Sequence, residues 1–292
     1  MADKVIKFPK GKNTRRVRSI DPYMAFTPFV MRQRVDSTNF FSDELDTEAA
    51  DRYLHKKRAE GLRGVGMLHL FIAAYVRTMS QYPALNRCII GQRVYTRKDV
   101  EYVMSVKKEL TSEGLETSIK VKFDVRDTLE DVYNKLNAAV DAAKNDAGGT
   151  STDKVAALMA HLPRPIFNFA IWVFKVLDYF NALPQFLLDA SPFHGSVIIT
   201  DMGSLGLPPV YHHIYNFGNL PVFIGLGMKK RGYELDKNGN VRERHYLKYT
   251  VVSDERICDG YYYAQGFKTM RNLLKFPEQL DSPPAEVKED IY

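Results

Sequence analysis

Three short stretches hold residues able to do proton or acyl chemistry. GSVIITDMG, residues 195–203, reads as a strand carrying two hydroxyls, Ser196 and Thr200. Such a hydroxyl can donate to a developing oxyanion, although a threonine in a strand is ordinarily a packing residue. The loop Asp254-Glu255-Arg256-Ile257-Cys258-Asp259-Gly260 gathers three carboxylates, a guanidinium and a thiol. Taken alone, Glu255 reads as a strand-end carboxylate paired with Arg256, and Asp259-Gly260 as a turn. His212 and His213, in PPVYHHIYNFG, are candidate bases. Neighbours on an extended chain point to opposite faces, so at most one of the two lines a given pocket. No third ligand stands at zinc spacing, so no metal site is expected. His194, in ASPFHGS, reads as a turn residue. Cys258 has no base beside it in sequence and reads as a buried, inert thiol. GLGM, residues 225–228, lacks both the G-x-G-x-x-G spacing and a following helix.

The elements that must position these residues are mixed. Alternation in FVMRQRV suggests a strand within 22–35. DTEAADRYLHKKRA, with an acidic first and a basic last turn, reads as a helix over 46–59. The apolar run 65–82 reads as a long helix stopped by Pro83. CIIGQRVYTR and EYVMSVKKEL are expected to pair as strands, and SIKVKFDV adds another. A helix capped by Thr128 should end at GGTS, and DKVAALMAHLP reads as helical. GSVIITDM, PVFIGLGM, a hairpin around KNGN, LKYTVVSDE and a last helix complete one α+β domain with a largely antiparallel or mixed sheet.

The texts ALNRCIIGQRVYTRKDVEYVMSV, GSVIITDMGSLG, PVFIGLGM and LKYTVVSDERICDGYYYAQGF follow in that order over residues 20 to 275. Together they resemble the catalytic domain of the dihydrolipoyl acyltransferases of 2-oxo acid dehydrogenase complexes, in the wider group that includes chloramphenicol acetyltransferase. The resemblance implies a CoA-dependent acyltransferase fold, an α/β domain in α+β two-layer sandwich form. It implies a homotrimer or a higher assembly of trimers, with coenzyme A or acyl-CoA as substrate and no metal. A lipoyl-carrying or dehydrogenase-complex protein is the expected partner. With no lipoyl attachment domain in the sequence, the chain is expected to match the isolated core of a cytoplasmic enzyme, peripheral to a membrane if it meets one.

In that family a His-x-x-x-Asp-Gly signature carries the general base, an Asp holds the base loop by an ion pair, and a Ser or Thr hydroxyl donates to the oxyanion. Here the signature position of the His is Glu255, while Asp259 and Gly260 are kept and Arg256 belongs to the same structural loop. Thr200 matches the hydroxyl donor best, with Ser196 second. The resemblance therefore assigns Glu255, Thr200 and Asp259 as catalytic; Ser196, His212 and His213 are secondary candidates read from the residues themselves. The substitution matters energetically. A Glu near pKa ~4.3 taking a proton from a thiol near ~8.5 works uphill by roughly 5–6 kcal/mol, against about 3 for a His. Burial would shrink that gap. Two readings stand open: an acyltransferase with a modified site, and a catalytically silent structural or regulatory trimer.

Residues 166–183, IFNFAIWVFKVLDYFNAL, hold the sole Trp and look like an insertion, 166–188, in the domain 21–276. The run is shorter than the ~20 apolar residues of a membrane span. Asn168, Lys175, Asp178 and Asn181 fall on one side, giving an amphipathic helix that is expected to pack on protein or to contact a membrane surface. Residues 1–20 read as a loose basic arm with no secretory apolar core, and 277–292 as a peripheral acidic tail. Lys and Arg total 41 against 35 Asp and Glu, a net +6 too modest and dispersed to argue for nucleic acid. Two cysteines are too few for a disulfide framework.

Overall fold

The computed structural model describes residues 7–10, 12–107, 116–146 and 151–292. In chain order the elements are β1 (Thr14–Arg16), α1 (Pro22–Val30), β2 (Thr38–Asp46), α2 (Glu48–Ala59), α3 (Met67–Gln81), β3 (Arg87–Ile90), β4 (Arg93–Arg97), β5 (Val100–Lys107) and β6 (Glu116–Phe123). They continue with α4 (Leu129–Asn145), α5 (Ser151–Ala160), α6 (Arg164–Tyr179), α7 (Gln185–Ala190), β7 (Val197–Asp201), β8 (Val222–Leu235), β9 (Val241–Asp254) and α8 (Gly260–Lys275). Six strands form a sheet in the order β2-β9-β8-β7-β5-β6, and three form a second in the order β1-β4-β3. The large sheet is mixed: β7 lies parallel to both β5 and β8, and the remaining pairs are antiparallel.

Strand alternation sorts the large sheet into two faces. Val197 and Ile199, Val222 and Ile224, and Tyr249 and Val251 point into the main core, where α2, α3, α4 and α8 cover them. Ile198, Phe223 and Val252 point to the opposite face and join Ile214 and Leu220 in a small second cluster. Thr200 follows Ile198 onto that second face.

Several sequence expectations change. No strand forms at FVMRQRV, residues 29–35: Phe29 and Val30 end the helix α1, which starts where Asp21 accepts from the Tyr23 amide and Pro22 sits in the first turn. CIIGQRVYTR does not pair with EYVMSVKKEL but folds on itself as β3–β4. Gly91 (φ +53°) and Gln92 (φ +58°) supply its two-residue turn, while β5 pairs with β6. The arm is not wholly loose, since β1 pairs with β4. The tail is strapped to the body: Arg87 holds Asp290 at 2.6 and 2.8 Å, and Arg77 donates to Gln279 O at 2.8 Å. The GGTS stop of α4 lies, except for Ser151, outside the described residues, as does the end of EYVMSVKKEL.

The segment 166–183 is helical only as far as Tyr179. Asn181 adopts φ +54° and Pro184 starts α7, so 166–183 is not continuous. Its C-terminal end is fastened to the body. Tyr179 donates to Gln92 Oε1 at 3.0 Å, and a Cβ on Gly91 would stand 2.2 Å from Tyr179 O, so only glycine admits this approach. Asp178 contacts His194 Nε2 at 3.1 Å, and Lys122 holds Asp189 at 3.0 Å. Yet no residue of α6 is buried.

Candidate active site

Thr200 stands in register with Gly225 of β8, which in turn stands opposite Thr250 of β9. Gly225 leaves this part of the sheet bare, and the irregular segment 207–221 lies across it. A Cβ at Gly225 would sit 2.7 Å from Val210 O and 2.9 Å from Thr250 Oγ1, so a larger residue would lift the segment. Thr250 Oγ1 donates to Val210 O at 2.7 Å and Met228 N donates to Leu207 O at 2.9 Å, pinning the segment down. The result is that His212 faces the sheet. Its ring stacks on Phe223 with centroids 4.2 Å apart, and its Nε2 lies 3.0 Å from Thr200 Oγ1. Both residues are half-buried. Burial, aided by the charge of His213, lowers the His212 pKa from its ordinary 6.5, so the ring is neutral at pH 7 and Nε2 can accept the Thr200 proton. His213 turns outward, edge-on to Tyr215. One histidine of the pair therefore reaches the sheet, although the segment is not a strand.

The loop after β9 is built around a different acid from the one the signature marks. Asp254 is fully buried and receives Arg256 Nε and Nη2, each at 2.7 Å, Arg34 Nε at 3.3 Å and Ser37 Oγ at 3.0 Å. Burial alone would raise the Asp254 pKa; hydrogen bonds and charge from Arg256, then the charge of Arg34, outweigh it and hold the carboxyl below its usual range. Arg34 also donates to Tyr215 O at 2.7 Å, which ties this loop to the segment bearing His212. Asp259 makes no such ion pair among the described residues. Its Oδ1 accepts from Tyr262 N at 2.9 Å and caps α8, with Gly260 the first helical residue. Arg256 pairs with Asp254 and not with Glu255.

Removing the hub tests this reading. Asp254→Ala strands two buried guanidinium groups, and the expected loss is about 3–5 kcal/mol in urea unfolding. A loss within ~0.5 kcal/mol would show the network to be ornamental.

Glu255 is half-buried, its amide donating to Ser37 O at 2.9 Å, and its carboxylate has no hydrogen-bond or ion-pair partner among the described residues. It cannot reach Thr200 of its own chain. It lies beyond Thr250, about 17 Å along β9 and roughly 10 Å across two strand spacings from β7. Ser196 is also set apart: it is fully buried and its Oγ accepts from Glu101 N at 2.9 Å, which fixes β7 to β5. Both cysteines are buried and free, and burial pushes the Cys258 thiol up to about 12. Among the described residues no three His, Cys, Asp or Glu side chains gather to hold a metal ion.

The fold has known counterparts. A probable dihydrolipoamide acetyltransferase from Listeria monocytogenes 4b F2365 superposes with a TM-score of 0.57 at 12% identity, covering 94% of this chain and 99% of that one. The cubic core of a pyruvate dehydrogenase multienzyme complex gives 0.54 at 14% identity, covering 88% of each chain. A chloramphenicol acetyltransferase gives 0.53 at 12% identity, covering 90% of this chain and 100% of that one. No protein-family model and no curated protein matches the sequence. The chain therefore has the chloramphenicol acetyltransferase-like fold expected from its sequence.

Proposed function

We propose that this protein transfers an acyl group from a thioester of the coenzyme A class to an acceptor, through Thr200. The observation that carries the reading is the 3.0 Å contact between Thr200 Oγ1 and His212 Nε2. A hydroxyl aimed at a neutral imidazole is an activated nucleophile. Thr200 Oγ1 attacks the thioester carbonyl carbon while its proton passes to His212. The tetrahedral adduct then expels the carrier thiolate, which leaves as the thiol with the proton of His212. The acceptor gives a proton to His212, attacks the Thr200 ester and restores the free hydroxyl. The fold is shared with two proteins named as acetyltransferases, which supports acyl chemistry as the class.

The carboxylate of Glu255, without a partner among the described residues, favours a second reading. In it Thr200 donates to the oxyanion, and Glu255 of a neighbouring copy in a trimer takes the acceptor proton. One of the fold's counterparts builds a multimeric core, in keeping with such an assembly. A lipoyl-bearing carrier would be the natural donor or acceptor in either case.

Glu255→Gln separates the two readings. Under the Thr200–His212 reading, thiol release from acyl-CoA with a panel of acceptors changes by less than about twofold. Under the second it falls by ~10²–10⁴. A parent protein that turns over no thioester and binds no acyl-CoA would sink both and leave the silent scaffold.

A further inference from the structure

We propose that α6 and the basic N-terminal segment together form a docking surface for an anionic lipid bilayer. Ile166, Phe169 and Trp172 of α6 are 53–63% exposed, and Phe180 and Phe186 just beyond it 71% and 66%. Phe169 and Trp172 stack on each other in solvent, with centroids 5.8 Å apart, rather than on the body. The exposed side of α6 also carries Lys175 and Tyr179. A Trp, a Tyr and a Lys beside bulky apolar groups is the composition that sits at a membrane–water boundary, where the lysine stem lies along the apolar layer and its head stays in water. Among the described residues no helix is long and apolar enough to cross a membrane, so the contact is interfacial.

Charge selects lipid over a second copy of the chain. The N-terminal 20 residues carry Lys4, Lys7, Lys10, Lys12, Arg15, Arg16 and Arg18 against Asp3 alone. Lys7, Lys10, Lys12, Arg16 and Arg18 are exposed. The segment is moored beside the aromatic helix: Lys12 Nζ donates to Asn181 O at 2.6 Å, and Lys10 and Lys12 line a hollow with Asp178, Asn181 and Gln185. Of the acids near it, Asp189 pairs with Lys122 and Asp290 with Arg87, Asp178 contacts His194, and the exposed Glu289 stands near Arg15. Two copies meeting through α6 would bring two such basic segments together, whereas an anionic headgroup layer complements them.

The sole tryptophan, Trp172, reports directly on this contact. The full chain is mixed with vesicles of phosphatidylcholine alone, or of equimolar phosphatidylcholine and phosphatidylglycerol, and followed by flotation and by Trp172 emission. The expected result is flotation with the anionic vesicles only, a blue-shifted emission, and release at high salt. Phe169→Glu keeps the fluorophore on an exposed site and should weaken binding about tenfold or more. Replacing Lys10 and Lys12 by Glu should weaken it by at least about fivefold per charge. Absence of flotation, flotation unaffected by either variant, or a blue shift that grows with protein concentration without vesicles would overturn the proposal. The last outcome would assign the face to a second copy.

Discussion

Thr200→Val is expected to leave the fold unchanged and to abolish the proposed acyl transfer. Valine keeps the branched shape of threonine, suits the central strand β7, and loses only the hydroxyl. If that oxygen carries the acyl group, thiol release drops by ~10⁴ or more, as for loss of a nucleophile elsewhere. If the hydroxyl only steadies an oxyanion, the loss is ~10²–10³. Rapid quench and mass spectrometry of the parent add a direct readout, a Thr200 peptide heavier by one acyl group. That adduct should disappear in Thr200→Val.

His212→Gln is the second large effect. Glutamine can hydrogen-bond Thr200 but cannot take its proton, so turnover should fall by ~10²–10⁴ with little change in stability. The parent also has a characteristic pH dependence. His212 must be neutral to act, and burial with His213 lowers its pKa from 6.5. Activity should therefore stay level as pH falls through 6.5 and decline only below it, and the decline should vanish from the residual activity of His212→Gln. An acid limb centred at or above 6.5 would point to a different base.

Much of the frame was legible in the sequence because its cues are local. Residues 46–59, 65–82 and 128–146 announce α2, α3 and α4 by period, cap and stop. GSVIITDMG announces β7 and, with it, Thr200. The site was only half legible, because its decisive contacts join distant segments. His212 was visible as a candidate base, but its choice over His213 depends on Gly225 baring the sheet and on Phe223 beneath the ring. Neither shows in the text PPVYHHIYNFG. The sequence marks Asp259 rather than Asp254, because the partners of Asp254, Arg34 and Ser37, come from the other end of the chain. The alternation in FVMRQRV imitates a strand, while the helix-start pair Asp21 and Pro22 that commits Phe29 and Val30 to α1 stands two turns upstream. In the insertion, periodicity gave the amphipathic character of α6 but not where it stops, which Asn181 and its left-handed backbone decide.

Whether Thr200 and His212 work as one unit is decided by a double-mutant cycle on acyl-CoA turnover, with Thr200→Val, His212→Gln and the pair measured side by side. Residues that act together lose their effect together, so the double variant should be about as slow as the slower single one. Losses that multiply across the cycle would contradict a joint role for the two side chains.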